Sequence, residues 1–182
     1  MTDRFDIWER PLKEREYYAI VSALTEFKRV DLAVKAFNDL GLKLVVIGAW
    51  DQEEYLKSIA RENIEFVGYK VTDQINEIYK NARWFVFPVK EDFGIAPVEA
   101  MSAWIPVFGL KMWWLLETVV EGVTWEFFDF DDVGEFKTKF IDFHNRIEEG
   151  FYDREKIRLH AEQFRKEVFF DKLEKFIESK FY

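Results

Sequence analysis

The sequence predicts an α/β fold: a three-layer, doubly wound, Rossmann-like parallel sheet of about six strands, with a helical C-terminal segment. Three observations carry this. Short apolar runs recur without polar alternation, as strands covered on both faces require. Amphipathic segments at helical spacing lie between them. Beyond residue 132 the chain turns charged and helical to its end. Right-handed crossovers then wind helices onto both faces of one sheet.

The elements are expected in the following order. Residues 17–24 (YYAIVSAL) form the first strand and 31–40 the first helix. Residues 42–48 (LKLVVIG) and 52–60 form the second pair, and 64–68 (IEFVG) and 72–82 the third. The fourth strand is 84–89 (WFVFPV), entering a helix at 95–103. The fifth strand is 106–109 (PVFG), followed by a helix at 113–120, and 126–130 (EFFDF) is the sixth strand. Phe136, Phe140 and Phe143 recur at helical spacing, as do Phe164, Val168 and Phe169, and are assigned to packing. A chain of 182 residues supports one core, so a single domain over 1–182 is expected, with 146–182 as a helical extension.

Composition removes several functions. A net charge of −9 argues against nonspecific binding to nucleic acid or an anionic membrane. No run of about 18 apolar residues exists, and the charged opening stretch is no signal peptide, so a cytoplasmic protein without membrane insertion is expected. Cysteine is absent, which excludes disulfides and thiolate metal sites. The two histidines, His144 and His160, lie in charged helical segments and are assigned solvated or capping roles; no metal or cofactor is expected. The 34% of charged residues, rich in Glu and Lys, points to a thermophilic source.

One stretch carries chemistry: KEDFGIAPVEAM, residues 90–101. It leaves the fourth strand at the carboxyl edge, where open α/β sheets bind ligands. Gly94 permits close backbone approach, and the helix start after it offers unpaired N–H groups. Together with IVSALTEFKRVDLAVKAF, LKLVVIGAWDQEEYLKSIA and ETVVEGVTWEFF, this stretch resembles the C-terminal, nucleotide-sugar-binding half of GT-B fold, family 4 retaining glycosyltransferases, over about residues 17–145. The resemblance implies that Glu91 contacts donor-sugar hydroxyls, Glu99 the ribose and Lys28 the diphosphate, with Phe93, Gly94 and Ile95 completing a donor site if it is retained.

The departures from the family cluster at that site. Ala23 stands where the family has a phosphate-binding arginine. The Gly-x-Gly turn after the second strand reads Gly48-Ala49-Trp50. Trp104 occupies a helix C-cap that usually takes glycine, at about 1 kcal/mol of strain if the left-handed geometry persists. Trp113-Trp114 replace a phosphate-cradling glycine pair, and Trp125 another glycine. Five successive large apolar residues from Met112 to Leu116 would cover every side of a helix, so one of the paired indoles should be exposed. The leading expectation is therefore a non-catalytic interaction protein, engineered from a glycosyltransferase scaffold. It would bind another protein or a second copy of itself through Trp50, Leu110, Met112, Trp113, Trp114, Trp104 and Trp125. The alternative is the donor-binding half of a mannosyl- or glucosyltransferase. A third reading is an apolar small-molecule pocket walled by Trp50, Trp113 and Trp114; a desolvated Lys111 there would be an amine nucleophile, but a solvated lysine is the favoured reading of that residue.

Overall fold

The computed structural model describes residues 10–89, 94–111, 119–129 and 132–181. One parallel sheet of six strands organises the chain: β1 (Tyr17–Val21), β2 (Leu44–Ile47), β3 (Ile64–Gly68), β4 (Ala82–Phe87), β5 (Val107–Leu110) and β6 (Trp125–Phe128). Their order is β3-β2-β1-β4-β5-β6, so the winding reverses between β1 and β4. The helices α1 (Val30–Leu40), α2 (Glu53–Ile59), α3 (Thr72–Tyr79), α4 (Ile95–Ser102), α5 (Val133–Glu148), α6 (Arg154–Ala161) and α7 (Lys166–Phe181) make the connections and the C-terminal segment. The expected fold class is thus the observed one.

Burial explains the apolar runs. All four residues of β2 and of β5 are buried, as a sheet sandwiched between helix layers demands. On the face toward α1 and α5 an aromatic cluster fills the core. Tyr18 of β1 meets Phe37, Trp84 and Phe140 edge-on at 5.0 to 5.3 Å. Trp84 of β4 lies over Phe143 at 3.6 Å, and Phe108 of β5 stacks on Phe128 and Phe143. The stripe Phe136–Phe140–Phe143 of α5 is fully buried here, each ring contributing area and edge-to-face attraction.

Some boundaries differ from the sequence expectation. β1 ends at Val21, not at residue 24, because the chain beyond it bonds the neighbouring loop instead of continuing the ladder: Leu24 N–H donates to the Ala49 carbonyl at 3.1 Å. Leu24 is nevertheless buried, which explains why its segment reads as strand. α3 stops at Tyr79, and β4 begins at Ala82. The helix expected over 113–120 lies mostly outside the described residues, and Val119 and Val120 are not helical. His144 is not simply solvated: it is half-buried, and its Nδ1 shares a 2.6 Å hydrogen bond with the Tyr18 hydroxyl. Burial lowers its pKa, the Glu148 charge opposes this and Arg83 adds to it.

The last helix has a different character. α7 exposes Phe169, Phe170, Leu173, Phe176 and Ile177 along one stripe, with ion pairs such as Lys175–Asp171 beside it. Among the described residues no helix is long and apolar enough to cross a membrane.

Candidate functional site

The switch point between β1 and β4 opens into a cleft at the carboxyl edge of the sheet. Its position follows from the topology: the loops after β1 and β4 leave in opposite directions and cannot close over the gap between them. The cleft has two lobes that share Val21, Ser22, Ala23 and Glu99.

The first lobe, 540 Å³, is lined by Lys28, Phe87, Val89 and the start of α4 at Gly94, Ile95 and Ala96. Lys28 is set by a short 3-10 turn, Glu26–Lys28, whose last amide returns to the Thr25 carbonyl at 3.1 Å. Gly94, at φ +75°, turns the chain into α4, and Pro97 lies in the first turn, where a missing N–H costs nothing. The lobe therefore receives one ammonium and the positive end of a helix dipole, an arrangement suited to an anion.

The second lobe, 760 Å³, is mostly apolar. It lies beside the ends of β2 and β3 and is lined by Ile47, Gly48, Ala49, Trp50, Tyr69, Lys70, Val71, Thr72 and Ile75. Trp50 and Tyr69 are 69% and 75% exposed, so their rings stand at its rim. The loops that carry this lobe are laced by main-chain bonds: Ser22 N–H to Ile47 O at 3.0 Å, Gly48 N–H to Gly68 O at 3.0 Å and Gln52 N–H to Leu24 O at 2.9 Å. Gly48 permits the closest of these approaches. A Cβ on it would stand 1.8 Å from the Ser22 carbonyl oxygen.

Glu99, half-buried on α4, borders both lobes. Behind it the Tyr79 hydroxyl is pushed well above its ordinary pKa, first by complete burial and then by the Glu99 charge, so Tyr79 stays neutral.

Of the residues singled out in the sequence, the structure brings Lys28, Gly94, Ile95 and Glu99 together in the first lobe and places Trp50 at the second. Glu91, Phe93, Met112, Trp113 and Trp114 lie outside the described residues. Two assignments to an exposed aromatic surface need correction. Leu110 is buried, because it ends β5 between β4 and β6 with both faces covered. Trp104 is only partly exposed and is covered from within the chain: the Arg154 guanidinium of α6 lies 5.1 Å from its ring centre. Trp125 opens β6 opposite Val107, at the amino end of the sheet and away from the cleft. Lys111 is at the surface, 3.7 Å from Glu121 and 5.7 Å from the Phe127 ring centre, and belongs to neither lobe. Sequence reasoning missed Tyr69, Val71 and Ile75. Their place just after the third strand, at the carboxyl edge, was the available signal.

Comparison with known proteins identifies the family and the fold. The family model of the group 1 glycosyl transferases matches residues 3–177, well beyond the 17–145 resemblance. An uncharacterized glycosyltransferase of Methanocaldococcus jannaschii is 29% identical over 137 residues, 63% of this chain and 35% of that protein. Among solved structures, sucrose-phosphate synthase of Thermosynechococcus elongatus superposes with a TM-score of 0.82 at 17% identity, over 99% of this chain and 50% of that one. Anabaena HepE, solved with UDP and glucose, gives 0.76 at 16% identity over 92% and 49%. The chain thus spans about half or less of the length of these relatives. Sheet order, the structural likeness and the family match over 3–177 lead to one conclusion: this chain belongs to the group 1 glycosyl transferases and has a GT-B glycosyltransferase-like domain.

Proposed function

We propose that the chain is the nucleotide-sugar-binding half of a glycosyltransferase. The observation that carries this reading is the two-lobed cleft. An anion-favouring lobe at Lys28 and the start of α4 adjoins an apolar lobe at Trp50 and Tyr69, with the Glu99 carboxylate between them. A nucleoside diphosphate has the matching division of a charged end, a hydroxylated middle and a flat ring. Lys28 would neutralise the phosphates, and the α4 amides would bind their oxygens. Glu99 would accept hydrogen bonds from ribose hydroxyls. Transfer to an acceptor would need a second body over the carboxyl edge to exclude water from the sugar. The exposed apolar side chains of Trp50, Val71 and Ile95 around the mouth favour such a cover. That same rim is what supports the interaction reading.

Calorimetric titration with UDP and UDP-glucose tests the proposal. The unmodified chain should bind with a dissociation constant in the micromolar to millimolar range. Lys28→Ala and Glu99→Ala should each weaken binding about tenfold, the loss of one charged hydrogen-bonding partner. Absence of binding to any nucleoside diphosphate at millimolar concentration would leave the covering surface, not the cleft, as the functional feature.

A further inference from the structure

Among the described residues, three other than glycine adopt positive φ: Arg29, Trp50 and Trp104. Such backbone is disfavoured for any residue with a Cβ, and it persists where its surroundings compensate or where function requires it. Arg29 is held by Asp31 at 3.1 Å. Trp104 is held by a helix-capping motif and by Arg154. Trp50, at φ +153°, has main-chain support alone: its carbonyl accepts from the Glu53 N–H at 3.2 Å. Its side chain is 69% exposed and makes no hydrogen bond, ion pair or ring contact among the described residues. The strain is nevertheless enforced, because Gly48 and Leu24 pin the loop to both neighbours. An indole is thus kept at the rim of an apolar lobe by a conformation that suits glycine.

We propose that Trp50 is a stacking residue for the base of a nucleoside diphosphate. This rests on the reading of the cleft given above and assigns its two lobes: phosphates at Lys28 and base beside Trp50. The rim position suits a flat, partly solvated ring, since stacking needs one open indole face and no hydrogen-bond register. The apolar side chains of Ile47, Val71 and Ile75 line the same lobe and add contact without selecting a base. The ligand class is therefore nucleoside diphosphates, recognised through the π-face of the base.

Parallel titrations of the full chain with UDP, GDP, ADP and inorganic pyrophosphate test this, with Trp50→Gly and Trp50→Phe beside the unmodified protein. Trp50→Gly should weaken the tightest nucleoside diphosphate about tenfold, the scale of one base–aromatic stack, and leave pyrophosphate affinity unchanged. Trp50→Phe should recover most of the loss. Equal nucleotide affinity in Trp50→Gly overturns the proposal, as does an equal loss for pyrophosphate, which would make Trp50 a shaper of the loop. Binding of pyrophosphate with no gain from any base also overturns it while leaving the phosphate lobe standing. Binding of none of the four ligands by the unmodified chain overturns the cleft reading itself.

Discussion

Trp50 and Trp104 are residues of the same type, in backbone of the same disfavoured sign, with opposite outcomes. At Trp104, φ is +63°, and the two hydrogen bonds of a Schellman cap form: Trp104 N–H to Met101 O at 3.0 Å and Ile105 N–H to Ala100 O at 3.1 Å. The left-handed residue there is normally glycine. The indole offsets its strain by packing beneath Arg154, whose own guanidinium donates to the Arg10 carbonyl at 2.8 Å. At Trp50 the side chain has no internal partner among the described residues, and the ring stands at the rim of a cavity. One tryptophan serves the fold at the amino side of the sheet. The other loads a site at its carboxyl side. Residue type alone does not distinguish them.

Substitutions can break or sharpen this contrast. The largest effect is expected at Gly48, which sets the Trp50 loop. In Gly48→Ala the new Cβ meets a main-chain oxygen at 1.8 Å, which no side-chain rotation relieves. A loss of about 3 kcal/mol or more is expected in urea denaturation, with nucleotide binding lost alongside. Next comes Trp104→Gly. Removing the indole from under Arg154 should outweigh the relief of left-handed strain, for a net loss of about 1–2 kcal/mol by the same measurement. Smallest and of opposite sign is Trp50→Gly. Relief of strain, less the added freedom of the unfolded chain, should raise stability by about 1 kcal/mol and the melting temperature by roughly 2–4 °C. A stabilised Trp104→Gly or a destabilised Trp50→Gly would reverse the assignment of the two rings.

Much of this was legible in the sequence, and the limits have physical causes. Unbroken apolar runs such as LVVI and WFVF identify strands covered on both faces, so sheet, layers and crossovers followed. Trp104 could be read as a strained cap because the preceding helix pattern ends there. Its cover could not, because Arg154 reaches it from a helix far along the chain. Leu110 was misplaced for the converse reason: a residue in a loop-like GLK context is buried once β6 pairs beside it. Lys28, Gly94 and Glu99 were found because local motifs carry them. An apolar pocket at Trp50 was among the readings, but its walls Tyr69, Val71 and Ile75 were missed, because they come from a loop that only the sheet brings beside the loops after β1 and β2.

The aromatic cluster has a consequence for how the chain is made. β1 sits at the centre of the sheet, yet it is synthesised before the other five strands. Its second neighbour, β4, emerges only after β3, about one to four seconds later for the stretch between Gly68 and Phe87 at typical elongation rates of 5–20 residues per second. The face bearing Tyr18, Trp84 and Phe108 waits longer still, until α5 delivers Phe136, Phe140 and Phe143. Throughout that interval the nascent protein presents its stickiest rings and an unpaired strand edge to its surroundings. A ribosome that stalls before Val133 would therefore release a fragment with nothing to close it, and chaperones would be the first proteins to meet it.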